Sequence, residues 1–298
     1  LHTRRRGEAP VSHDTSHDTE LDPHADPHGH GHGDVSVDEL RLADELPGSG
    51  ATASPDIAEY ALRLGDDSLI LSQQLGWWVA KGPELEEDLA LSNIALDLLG
   101  HARALLHFAG TASDRSEDDL AFWRDEHEFR NCWLVEQRNG HYGDTIARQF
   151  LFSAYQAELY RELQLSTDPT LRAIAGKAER EVRYHLDHAA QWILRLAGGT
   201  DESRSKIIIS LRDVWPYIDE LFVDDELTER LTGAVPRPSA LRAGFDRTVA
   251  SVMTEAALEI PQVQPAWAQG RSGVHSTLMG HLLTELQWLP RRHPGASW

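Results

Sequence analysis

Asp97, His101, Glu181 and His185 are the residues of this chain whose types and spacing could do chemistry. Each acid stands four positions before its histidine, in LSNIALDLLGHAR (91–103) and in EVRYHLDHAA (181–190). On a helix, positions i and i+4 lie one above the other, so each acid and its histidine share a face. Such a pair can bind a metal, move a proton, or form a hydrogen-bonded structural contact.

The di-iron carboxylate proteins provide a test of the first option. Two of their bundle helices supply a Glu each, and the other two supply a Glu-x-x-His pair. No Glu-x-x-His occurs here: Leu98 stands three residues before His101, and Val182 three before His185. One Asp-x-x-His, Asp14 to His17, falls in the amino-terminal tract, outside any bundle. The spacing argues against a twofold-repeated di-iron site. It favours a structural polar core, a degenerate metal site in which Asp97 and Glu181 take hydrogen bonds or charge from His101, His185, Arg103 or Arg183. Metal binding and acid–base catalysis stay open as the two alternatives.

The elements that must position these residues are long helices. From Glu84 to Phe108, leucines and isoleucines point most of the way round a helix, the pattern of a rod at the centre of a domain. Asn93, Asp97 and His101 form one polar file along it. Before it, Ser54-Pro55-Asp56 opens a helix expected over residues 56–79. A short helical patch is expected in LAFWRDEHEF (120–129), and an irregular stretch over residues 131–144. A third long helix covers about 145–165. Asp168-Pro169 opens a fourth, stopped by Gly198-Gly199, on which Glu181, His185 and His188 share one face. Further helices are expected over 203–222 (bent near Pro216), from Pro238 to before Pro261, and over 274–289. Strand signals are nearly absent, so the fold class expected is all-α, a bundle with additional carboxy-terminal helices.

Residues 1–53 read as a disordered tail rich in His, Asp, Gly and Pro, and 54–298 as one helical domain. The tail histidines, His28, His30 and His32 among them, are weak candidates for loose chelation of Zn, Ni or Cu ions. The start, LHTRRRGEAP, lacks an apolar stretch, so no secretory signal is expected. No run approaches the roughly 20 apolar residues of a bilayer span. Cys132 is the one cysteine, which excludes an internal disulfide and makes a cytoplasmic home the expectation. The formal net charge of -20 disfavours nucleic acid and anionic membranes as partners. Phosphate-binding loops, dinucleotide fingerprints and nucleophile elbows are missing from the sequence. Cys132 with His141 nearby is read as incidental rather than nucleophilic, and Trp77, Trp78, Trp192, Trp215 and Trp288 as core and interface anchors.

Five segments resemble one family. They are RLGDDSLILSQQLGWW (63–78), DLALSNIALDLLGHAR (88–103), AFWRDEHEFRNCWLVEQRNGHYGDTIARQF (121–150), EVRYHLDH (181–188) and HSTLMGHLLTELQWLPR (275–291). Together they are similar to the C subunits of bacterial phenylacetyl-CoA 1,2-epoxidases, over about residues 57–298. The resemblance implies a ferritin-like bundle without a competent di-iron centre of its own. It implies a hetero-oligomer with a related A subunit that carries the di-iron centre and the oxygen chemistry, and with other subunits of the complex. The function expected is thus a non-catalytic structural subunit in aerobic phenylacetate degradation, binding no cofactor itself.

Two rival readings remain. In one, the chain is a self-sufficient ferritin-like di-metal oxidase or oxygenase, using the four residues above with Glu158 or Asp66. In the other, it handles metals through its His-rich tail.

Overall fold

The computed structural model describes residues 50–296, which form ten α-helices and, among the described residues, no strand. The tail histidines lie outside the described residues.

Helix α1 (Pro55–Gly76) starts where Ser54 caps it: the Ser54 hydroxyl accepts the Ile57 N–H, and Pro55 occupies the first turn. It runs into α2 (Leu85–Gly110) through a short connection, so the two form an antiparallel hairpin. A long connection follows, holding α3 (Glu117–Phe122), a 3-10 turn (Glu126–Glu128) and α4 (Trp133–Glu136). Helices α5 (Tyr142–Leu163) and α6 (Pro169–Gly198) make a second hairpin, α6 being capped by Asp168, which accepts the N–H groups of Thr170 and Leu171 at 2.9 Å. Residues of α2 meet those of α6 in reverse order along the chain, so these two helices also run antiparallel. Two hairpins joined by one long crossover make the ferritin-like arrangement.

The carboxy-terminal part wraps this bundle. It comprises α7 (Asp201–Val214), two 3-10 turns (Trp215–Tyr217, Asp219–Phe222), α8 (Glu226–Arg230), α9 (Pro238–Glu255), an extended strap and α10 (Met279–Arg292). The helix expected over 203–222 therefore ends early. Pro216 has no N–H and its ring crowds the carbonyl of the preceding turn, so the chain tightens to 3-10 geometry instead of bending. The short α8 is not among the expected helices; Asp225 and Thr228 close a capping box around it. Nor is α4, inside the stretch expected to be irregular.

Helix α2 also departs from expectation. It is not buried all round: Leu85, Leu89 and Leu96 are 71%, 58% and 50% exposed and lie along one face. Its inner face carries Glu87, Leu91, Ile94, Leu98 and His101. A helix at the corner of a four-helix bundle has one side turned outward, and here the first half of that side exposes leucines while Arg103 and His107 follow in its second half. This is also the one described helix whose length and composition would suffice to cross a membrane, with half of its most apolar window packed inside the protein.

Candidate functional site

The inner face of α2 meets the inner face of α6 across a ladder of histidine–carboxylate contacts. Because the helices are antiparallel, the two i, i+4 pairs meet crosswise. His101 Nε2 lies 2.6 Å from Glu181 Oε2, and His185 Nε2 lies 2.9 Å from Asp97 Oδ2. Each acid thus serves the histidine of the other helix, not its own. A third rung joins Glu87 to His188 at 2.8 Å, and the same carboxylate oxygen accepts the Tyr142 hydroxyl at 2.6 Å. Asn93, expected in the same polar file as Asp97 and His101, is exposed and takes no part.

In the two crossed rungs the histidines sit inside and the acids at the rim, whereas Glu87 of the third rung is itself buried. The side chains of His101 and His185 are 5% and 0% exposed, against 26% for Glu181 and 33% for Asp97. Carboxylates that keep part of their hydration avoid most of the desolvation cost of a buried ion pair. Burial holds His185 below the ordinary histidine value, outweighing the hydrogen bond to Asp97 and adding to the repulsion of His101. A neutral His185 donates its Nε2–H to Asp97, which leaves the lone pair on Nδ1. The Nδ1 atoms of His101 and His185 are both buried without a hydrogen-bond partner, and the two rings lie 6.4 Å apart. Tyr160 packs edge-on against His101.

Arg103 and Arg183, expected as possible partners of the acids, are used elsewhere. Arg103 Nε reaches Glu117 at 2.8 Å, and Arg183 pairs with Glu179 one turn back on its own helix.

The donor set does not fit a di-iron pair. Such a site draws an acid from every one of four helices. On α1, Asp66 is locked in a buried bidentate pair with Arg124 and also accepts the Arg130 N–H at 2.8 Å. On α5, Glu158 pairs with Arg161 and faces Gly244 of α9, where a Cβ would collide with its carboxylate. Neither acid named for the di-metal reading joins the histidines. On its inner side α5 instead offers Gln149 and Gln156, each with a buried unpaired amide oxygen. Among the described residues no group of three or more His, Cys, Asp and Glu is arranged to hold a metal ion.

A second buried polar cluster went unrecognised in the sequence. It ties the long connection and the strap to α1. Asp67 accepts the Cys132 N–H at 2.8 Å and Arg271 Nη2 at 2.6 Å, while Arg271 Nη1 donates to the carbonyls of Arg63 and Arg130. Glu136 collects Asn131, His275 Nδ1 at 2.7 Å and the Ser276 N–H. Glu220 takes the Trp133 N–H at 2.8 Å. These acids satisfy the backbone donors of a segment too irregular to satisfy itself. Burial works against charge on His275, but the hydrogen bond and charge of Glu136 outweigh it and raise the imidazole above its ordinary value. Burial drives the Cys132 thiol far up, so this cysteine is an inert core residue. Adjacent acids such as Asp66-Asp67 in mid-helix are the signal that could have revealed the cluster. Glu87 could have been found as a charge on the apolar stripe that also carries His101.

The phenylacetic acid catabolic protein family matches residues 47–298 of the chain. The C subunit of the 1,2-phenylacetyl-CoA epoxidase of Escherichia coli (strain K12) is 45% identical to it over 245 residues, 81% of this chain and 99% of that protein.

Proposed function

The chain belongs to the phenylacetic acid catabolic protein family, and from that premise we propose that it is the non-catalytic structural subunit of a phenylacetyl-CoA 1,2-epoxidase. In this reading it binds the di-iron A subunit in the cytoplasm, alongside the other subunits of the complex. It binds no metal in its own bundle, and Asp97, His101, Glu181 and His185 form a degenerate metal site kept as a polar core.

The crosswise pairing carries the proposal. Each carboxylate that would face a metal is turned to a histidine of the opposite helix, and the acids of α1 and α5 are committed elsewhere. The exposed leucines of α2, with Trp77 and Val79 in the connection before it, support a protein partner on that side. Several large apolar side chains exposed on one helix face are the kind of surface a partner covers. Holding a partner's helices in register matters for its chemistry, since a misplacement of about 1 Å can cost about 100-fold in rate.

The test is co-expression with an A subunit, followed by iron analysis of the complex and of each chain alone. A stable complex is expected, with iron in the A subunit and almost none in this chain. Failure to form a complex would remove the proposal.

One observation favours the rival di-metal oxygenase: the two inward Nδ1 atoms without partners. About two irons per chain in the protein purified without its first 53 residues would establish that rival.

A further inference from the structure

Four aromatic rings meet at the end of the bundle where α1 passes into α2. Trp77 and Trp78 lie in that connection, Tyr142 is the first residue of α5, and Trp192 stands on α6. They pack edge to face, a preferred arrangement for such rings. Ring centroids are 5.4 Å apart for Trp77 and Trp78, 5.5 Å for Trp78 and Tyr142, and 4.9 Å for Tyr142 and Trp192. At 45% exposed, Trp77 opens this file to solvent, while Trp78 is only 6% exposed. Rings in such contact exchange an electron readily, so the file is a path from the surface to Tyr142.

The surroundings give that path a direction. The Lys81 ammonium lies 3.7 Å from the Trp77 centroid, and the Arg195 guanidinium 4.7 Å from that of Trp192. A cation is drawn to a neutral ring but repels a ring that has lost an electron, so both of these tryptophans hold a positive hole poorly. Trp78 donates its indole N–H to the Thr145 hydroxyl at 2.8 Å, and a hydroxyl is too weak a base to take that proton. Of the four, only Tyr142 donates to a carboxylate among the described residues. Its hydroxyl lies 2.6 Å from Glu87 Oε2, a charge-assisted bond. Burial, with the hydrogen bond and charge of Glu87, keeps the phenol protonated in the resting protein. Removal of an electron turns a phenol into a strong acid, and here the proton has a carboxylate in contact.

We propose that Trp77, Trp78 and Tyr142 form a relay that carries one-electron oxidising equivalents inward from the surface and ends on Tyr142, with Glu87 as the proton acceptor. The oxidant is a one-electron acceptor stronger than a tryptophan radical cation, and it meets the chain at Trp77. Trp77 gives it an electron and is refilled from Trp78, which is refilled from Tyr142. In that last step the Tyr142 O–H proton moves to Glu87 Oε2. The products are the oxidant reduced by one electron, a neutral tyrosyl radical and a carboxylic acid on Glu87, with both tryptophans restored. Trp77 is the one residue shared with the docking surface argued above, and the path needs no partner chain.

The experiment oxidises the full-length chain, without any partner, using tris(bipyridine)ruthenium(III) made by a laser flash with a cobalt(III) ammine as sacrificial acceptor. Transient absorption follows the tryptophan and tyrosyl radicals, and freeze-quenched EPR identifies them. In the wild-type chain a tryptophan radical is expected to decay as a tyrosyl radical grows, more slowly in heavy water because a proton moves with the electron. Tyr142→Phe should lose most of the tyrosyl signal and leave a longer-lived tryptophan radical. Tyr184→Phe, which removes a half-exposed phenol outside the file, should keep both phases. Trp77→Leu should slow the tyrosyl phase, and Glu87→Gln should lower its yield. Thermal melting of each variant separates loss of the relay from loss of the fold. Tyr142→Phe removes one oxygen and Trp77→Leu one half-exposed ring, so these two are the safest for folding. Absence of a tyrosyl signal in the wild-type chain would overturn the proposal. So would a signal that folded Tyr142→Phe retains, or one that forms at an unchanged rate in folded Trp77→Leu.

Discussion

His101 of α2 and Glu181 of α6 sit 2.6 Å apart across the centre of the bundle, although they belong to two different acid–histidine pairs in the sequence. The exchange of partners follows from direction alone. In antiparallel helices, an acid four residues before its histidine lies level with the histidine of the facing helix. The Asp97–His185 contact is the other half of the same exchange. Two equal spacings in the sequence thus become two complementary contacts between helices.

Removing the two partners together should therefore cost less than the sum of removing each alone. Glu181→Ala leaves the buried His101 ring without an acceptor, and a loss of about 1–3 kcal/mol is expected in chemical denaturation. The double variant His101→Ala, Glu181→Ala should lose less than the sum of the single changes, because the two act as one unit. Strict additivity would show that the contact is not an energetic one.

The Asp66–Arg124 pair anchors the long connection to α1, with both side chains out of solvent. Arg124→Met should destabilise the protein by about 3–5 kcal/mol, since Asp66 would keep a buried charge with no counterion. A companion change Asp66→Leu should restore a good part of that loss. Equilibrium unfolding in urea reads both values.

On the outer face of α2 the expectation is the reverse. Leu89→Glu and Leu96→Glu replace exposed leucines, so stability should move by no more than about 0.5 kcal/mol. Binding to an A subunit, measured by co-purification, should fall sharply. Retention of the complex in both variants would place the interface elsewhere.

Two of the buried histidines, His275 and His185, give opposite pH dependences. His275 has its pKa raised above the ordinary 6.5 through its contact with Glu136, and the carbonyl oxygen of Phe129 and the charge of Glu126 act in the same direction. Its contribution is complete below 6.5 and is lost as pH rises through the raised value. Amide hydrogen exchange in the strap, residues 270–278, should accordingly speed up on the alkaline side beyond its intrinsic rate increase, and Glu136→Gln should remove that extra change. His185 has its pKa lowered, so its contribution is present above 6.5 and is lost as pH falls through the lowered value. Acid should therefore loosen the contact between α2 and α6 before it loosens the strap.

The sequence by itself determined the helices and much of their order. Ser54-Pro55 and Asp168-Pro169 start α1 and α6 because cap and proline act within one turn of chain. It also determined that no Glu-x-x-His exists, and through five long motifs it pointed to the family. Tertiary structure alone decided which acid meets which histidine. That choice depends on the direction and register of α2 against α6, and spacing within either helix contains neither. It alone decided that Leu85, Leu89 and Leu96 face outward, since a leucine's burial is set by its neighbours and not by its type. The cluster of Asp67, Glu136, Glu220, Arg271 and His275 lay hidden for the same reason. Its members come from α1, the long connection and the carboxy-terminal strap, and Asp67 and Arg271 stand 204 residues apart in the chain. Only folding brings such groups within reach, and it does so because an irregular segment needs buried acids to satisfy its backbone.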